Sequence, residues 1–129
     1  MKPPIKSIFI FDDDEDILSI CSYILEEKGW IVYTSADCND IIQKITEVKP
    51  AVILMDNWIP DEGGVVATQK LKASDELKQI PVIYFSANSD IKIIADLAGA
   101  DNYLAKPFDL ADLESVINSA LELKTNNLK

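Results

Sequence analysis

Five side chains scattered along the chain have the types needed for phosphoryl chemistry: the carboxylates of Asp12, Asp13 and Asp56, the hydroxyl of Ser86 and the ammonium of Lys106. Carboxylates brought close together repel one another and raise each other's pKa unless a cation offsets them. The candidate ligands are all oxygens, with no imidazole or thiolate among them, which matches a hard cation such as Mg²⁺. Asp13 is expected to bind it directly, and Asp12 directly or through a water. Asp56 and the backbone carbonyl of Trp58 complete the set. A carboxylate flanked by Mg²⁺ and an ammonium can attack a phosphoryl group, while metal, lysine and hydroxyl share the charge that builds on its oxygens. Asp56 would then be the nucleophile, Lys106 the fixed positive charge and Ser86 the hydroxyl that donates to the bound phosphoryl group.

These residues act together only if a fold collects them. Two hydrophobic periodicities alternate along the chain. "SIFIFD" (Ser7–Asp12), "WIVYT", "AVILMD", "IPVIYFSA" and "NYLAKP" read as strands, the third almost wholly apolar as a central parallel strand requires. Between them lie helical patterns. Ile17, Ile20, Cys21, Ile24 and Leu25 share one face of the first helix, which Gly29 closes. Ile41, Ile42 and Ile45 share a face of the second, which stops at Pro50. "GVVATQKLKAS" gives the third helix and "DIKIIADLAG" the fourth, ending at Gly99. The last helix is "DLADLESVINSALELK", with Asp109 as N-cap and Asp112 at its third position, although a full capping box calls for Glu or Gln there. The polar "TNNLK" tail is expected to fray.

Strand followed by helix, repeated with short connections, predicts an α/β fold: a doubly wound five-stranded parallel sheet in the order 2-1-3-4-5, in one domain covering residues 1–129. Function in such sheets collects beyond the carboxyl ends of the strands. The acids follow the first and third strands, the serine the fourth and the lysine the fifth. A single aspartate at a strand end is commonplace, and "DDDED" alone also fits a helix start carrying favourable negative charge. The conjunction of all five is what points to a site. It also explains why an apolar run such as "VILM" leads straight into Asp56: the buried strand fixes the backbone and the turn after it presents the carboxylate.

Composition removes other classes. Apolar residues make up 48% of the 129, enough for a core and too many for disorder. There is no histidine, so no His-based triad and no phosphohistidine carried by the chain itself. Cys21 and Cys38 fit no metal spacing, and Cys21 reads as a buried thiol. The net charge is −10, which repels phosphate backbones and argues against nucleic-acid binding. No apolar run is long enough to cross a membrane, and the start lacks a secretory layout, so a cytoplasmic location is expected.

Over essentially its whole length the chain resembles the receiver domain of two-component response regulators. The acidic pair matches Asp12 and Asp13, the phosphorylated aspartate Asp56, the Thr/Ser position Ser86 followed by Ala87, and the lysine Lys106 in "KPF". "GADNYLAKPF" and "DNWIPDEGG" resemble the signatures around the fifth strand and after the phosphorylation site. The resemblance implies that a histidine kinase or a histidine phosphotransfer protein presents phosphohistidine and that Asp56 takes the phosphoryl group with Mg²⁺ bound. It implies that Ser86 then swings toward the phosphate while Tyr103, in a buried strand, either turns inward or serves as core packing. The surface of the fourth helix, fifth strand and fifth helix would change and recruit or release a partner. It implies a cis Lys106–Pro107 bond, and a tuning of acyl-phosphate hydrolysis by Trp58 and Asn88. Self-phosphorylation and autodephosphorylation are expected, with no turnover of an external substrate.

Four positions depart from the pattern. Ile59 stands where methionine is usual, Gly63 where a polar residue is common, and Ser86 where threonine is commoner. Thirteen positions separate Ser86 from Gly99, about two fewer than usual, so the loop after the fourth strand or the fourth helix itself, both in the signalling face, is expected to be shortened. A stand-alone switch without an output domain is expected, acting through protein contact or onward transfer. A piece cut from a longer regulator or hybrid kinase is the alternative. Two other functions stay open: a receiver-like binding module that is never phosphorylated, and a Mg²⁺-dependent aspartyl phosphatase resembling haloacid dehalogenases. The phosphatase wants an acid two residues after its nucleophile, where this chain has Trp58. An FMN-binding flavodoxin-like protein is disfavoured because "DDDED" would repel the cofactor's phosphate.

Overall fold

The computed structural model describes residues 6–56, 63–87 and 89–127, with side chains described up to residue 122. Strand and helix alternate as β1 (Ser7–Phe11), α1 (Glu15–Glu27), β2 (Ile31–Ser35), α2 (Ile41–Val48), β3 (Val52–Asp56), α3 (Gly63–Ala73), β4 (Val82–Ser86), α4 (Ile91–Ala98), β5 (Asn102–Ala105) and α5 (Leu110–Asn127). The strands form one parallel sheet in the order β2-β1-β3-β4-β5, the doubly wound flavodoxin-like topology expected. β1, β3 and β4 are buried on both faces, which is why they read as nearly continuous apolar runs.

Alternate residues of these strands feed two cores. Phe9, Phe11, Ile53, Met55, Val82 and Tyr84 pack with helices α2, α3 and α4. Ile8, Ile10, Leu54, Ile83, Phe85 and Leu104 pack with α1 and α5. The period-2 alternation of a strand delivers one set to each layer.

Three expectations about burial are corrected. Ile20 points away from the core and is 59% exposed, and Leu18 joins Cys21 and Leu25 in its place. Ile42 is likewise exposed, leaving Ile41 and Ile45 as the buried pair of α2. Tyr103 does not lie in a buried strand. β5 is the sheet edge, and the tyrosine is 40% exposed. The last helix also continues to Asn127, through the first residues of the tail read as frayed.

The helix ends explain themselves locally. Asp14 caps α1, accepting from the backbone N–H groups of Asp16 and Ile17. Asp109 caps α5, accepting the Asp112 N–H at 2.8 Å, while the Asp112 carboxylate reaches back to the Asp109 N–H only at 3.5 Å. One methylene fewer than glutamate accounts for that long return bond. α4 is eight residues long and is closed by Gly99, a C-cap in the left-handed region.

Candidate functional site

The site is built where β1, β3, β4 and β5 end. Parallel pairing puts Phe11 beside Met55, Asp56 beside Phe85, and Ser86 beside Ala105. Asp12 therefore follows β1 and Lys106 follows β5 at one level of the sheet, although they are 94 residues apart in sequence.

The Lys106 ammonium joins two of the acids, donating to Asp56 Oδ1 at 2.8 Å and to Asp12 Oδ2 at 3.1 Å. Both carboxylates are buried. The other oxygen of Asp12 accepts the Asp14 N–H at 2.9 Å, which fixes the carboxylate in the tight turn entering α1. Asp13 stays exposed at the mouth. Burial of Lys106 pulls its pKa down, but the hydrogen bonds and charges of Asp56 and Asp12 outweigh that, and the net shift is upward.

Asp12, Asp13 and Asp56 each bring a carboxylate oxygen within 4.8 Å of the others. Three acids share the cluster with one ammonium, which hydrogen-bonds two of them, so the cluster carries surplus negative charge on oxygen ligands only. That donor set fits a divalent hard cation such as Mg²⁺.

Gly64 shows how closely α3 approaches. A Cβ there would collide with the Asp56 carbonyl oxygen and press on Tyr84 at 3.1 Å, so only glycine lets the helix start against the end of β3. Gly63 before it has a φ of +80°, a left-handed conformation that glycine adopts freely.

Ser86 is buried at the end of β4, and its carbonyl accepts the Lys106 N–H at 2.9 Å, tying the two strand ends together. Tyr103 pairs with Tyr84 in the register, two residues before Ala105 pairs with Ser86, so it shares the sheet face of the serine. Its ring is on the exposed edge. The Lys106–Pro107 peptide is cis, as the resemblance implied. Trp58, Ile59 and Asn88 lie outside the described residues.

Two aromatic residues beside the lysine were not anticipated. The Lys106 ammonium lies 4.5 Å from the centre of the Phe85 ring, and Phe108 meets that ring edge-on. The place of Phe85, one residue before Ser86 and so on the opposite sheet face, was the available signal. Next to Lys106 opens an apolar groove of about 430 Å³ between α1 and the start of α5, edged by Ile17, Ile20, Ile24, Phe108 and Leu110. Ile20 therefore borders a surface groove and not the core.

The comparisons agree with this geometry. The family profile of the response regulator receiver domain matches residues 8–118. The transcriptional regulatory protein PrrA of Mycobacterium leprae is 34% identical over 116 residues, covering 88% of this chain and 49% of the relative. PrrA of Mycobacterium tuberculosis matches to the same extent. This chain thus spans about half the length of these curated relatives. Among solved structures, a response regulator from Chloroflexus aurantiacus superposes with a TM-score of 0.86 at 26% identity, covering 92% of this chain and 99% of that one. The receiver domain of the sensor histidine kinase PA1611 from Pseudomonas aeruginosa, solved with magnesium in its active-site cleft, gives 0.83 at 25% identity over 92% and 99%. With sheet order, acidic cluster and family profile in agreement, this chain belongs to the response regulator receiver domain family.

Proposed function

We propose that the protein is a phosphoacceptor switch of a two-component phosphorelay. Asp56 takes a phosphoryl group from the phosphohistidine of a histidine kinase or histidine phosphotransfer protein. A carboxylate oxygen of Asp56 bonds to phosphorus as the P–N bond breaks, and the electron pair leaves with the imidazole. Lys106 holds its ammonium at the attacking carboxylate and, once the phosphoryl group is in place, donates to its oxygens. Ser86 supplies the hydroxyl on the β4 side. Asp12 and Asp13, with Asp56 and the Trp58 carbonyl, would hold Mg²⁺, which offsets the surplus negative charge and the charge that builds on the phosphoryl oxygens.

The observation that carries this reading is the single ammonium bridging two buried carboxylates from different strands, with a third acid alongside. The signal would leave by the face of α4, β5 and α5, where Ile93 and Leu97 are each 68% exposed and Tyr103 stands at the sheet edge. A donor protein reaching Asp56 would lie against the apolar groove beside Lys106. No helix among the described residues is long and apolar enough to cross a membrane, and a cytoplasmic setting suits the proposed donors.

The test is intact mass after incubation with acetyl phosphate, with Mg²⁺ or with EDTA, on wild type and Asp56→Asn. One Mg²⁺-dependent phosphoryl adduct, absent from the variant, is expected. A folded, Mg²⁺-binding wild type that gains no adduct from acetyl phosphate or from a phosphohistidine donor would instead be a binding module.

A further inference from the structure

An ammonium has three protons to place, and Lys106 places two of them on Asp56 and Asp12. On another side of the nitrogen lies the Phe85 ring, its centre 4.5 Å away. Phe85 is fully buried on β4, directly beside Asp56 in the strand register. Its orientation is held from a second direction by Phe108, edge-on at 6.2 Å and 66°, on the same connection that carries Lys106. An aliphatic side chain would fill this space with no charge distribution to offer. A ring face carries partial negative charge and attracts an ammonium at this distance, most strongly where water is excluded.

The chemistry gives that contact a use. A third carboxylate around the lysine would compete with the phosphoryl oxygens for its protons. A ring face attracts the charge without presenting a lone pair, and its pull changes little as the ammonium turns. The bond from Lys106 to Asp56 must rearrange when a phosphoryl group arrives, and a contact that fixes no single proton does not have to break with it.

We propose that Phe85 is a positioning residue of the acceptor site, its ring face holding the Lys106 ammonium against Asp56 before and during phosphoryl transfer. This rests on the function proposed above.

The test replaces Phe85, site-specifically, by phenylalanines carrying one, two and three ring fluorines. These keep the shape of the core and withdraw the negative potential of the ring face in steps. Phe85→Leu removes the face altogether. Adduct formation from acetyl phosphate at saturating Mg²⁺ is expected to slow with each fluorine, reaching on the order of ten-fold for three fluorines or for leucine. The side-chain proton resonances of Lys106 next to the ammonium should lie upfield in wild type and return to ordinary positions in Phe85→Leu. A flat rate across the fluorinated series overturns the proposal, as does slowing confined to leucine, which would be a packing effect. The resonance shift is read with neither donor nor Mg²⁺. Absence of the adduct alone therefore overturns the phosphoacceptor function, and absence of the shift alone overturns the ring contact.

Discussion

Two lysines sit at opposite ends of the sheet with the same side-chain exposure, 18% each, and opposite surroundings. Lys72, on α3, donates to the carbonyls of Lys78 and Ile80 at 3.0 and 2.9 Å and to Asp101 Oδ2 at 2.6 Å. Asp101 also accepts the Val82 N–H at the start of β4. One positive charge meets one negative charge, all three protons are used, and the result clamps α3 to the amino ends of β4 and β5. Lys106 lies at their carboxyl ends, facing Asp12 and Asp56 with Asp13 close by and an aromatic ring on another side. A balanced, saturated pair stabilises and has nothing left to bind. A cluster with surplus charge weakens the fold and keeps a capacity for a cation and a phosphoryl group.

Substitutions at the two ends should therefore separate function from stability. The largest contrast is between Asp56→Asn and Asp101→Asn. The first is expected to abolish the phosphoryl adduct, and the second to leave its rate unchanged in the folded protein, both read by intact mass. Next come the lysines. Lys106→Met should slow adduct formation on the order of 100-fold, the scale of losing one charged stabiliser of a transition state. Lys72→Met should leave that rate alone and cost about 1–2 kcal/mol in urea denaturation, allowing for solvent screening of Asp101.

A smaller effect tests the charge surplus itself. Asp13→Asn removes one of three like charges, so without Mg²⁺ its melting temperature should rise on the order of 1–2 °C. The further rise that Mg²⁺ gives wild type should shrink in this variant. A variant less stable than wild type without Mg²⁺ would mean that the surplus does not strain the fold.

The last effect is read in alkaline solution. Burial, with the Asp12 charge adding to it, raises the Cys21 thiol from 9.0 to about 11 against the opposing pull of Lys106. Burial and the Asp56 charge raise the Tyr84 phenol from 10.0 to about 12. The Lys106 shift above 10.5 has the same consequence. In each case the folded state keeps its proton where the unfolded chain has released it, so stability falls as pH rises past the unfolded values. The urea midpoint should hold up to about pH 9 and decline from there toward pH 12, with Cys21→Ala flattening the first part of the decline.

The sheet order and the convergence of Asp12, Asp13, Asp56, Ser86 and Lys106 were legible because topology alone brings strand ends together. The Asp109–Asp112 exchange was legible because it is local. Exposure was harder. An apolar stripe on α1 shows which side Ile17, Ile20 and Ile24 face, but the width of the covering layer decides which of them is buried. Tyr103 looks like core from its strand pattern, and only its place at the sheet edge exposes it. The Lys72 clamp joins residues 29 apart through a helix and a strand, with no local pattern to announce it. The ring beneath Lys106 also needs three dimensions: the place of Phe85 before Ser86 gives its sheet face, but not whether it only packs or holds an ammonium.

The most direct measurement of the central claim locates the phosphoryl group chemically. Borohydride reduces the acyl phosphate of an aspartate to homoserine and leaves free carboxylates untouched. After phosphorylation with Mg²⁺, reduction and peptide mass spectrometry should find homoserine in place of Asp56 and at no other position. Homoserine in place of Asp12 or Asp13, or none in protein that carries the adduct, would contradict Asp56 as the acceptor.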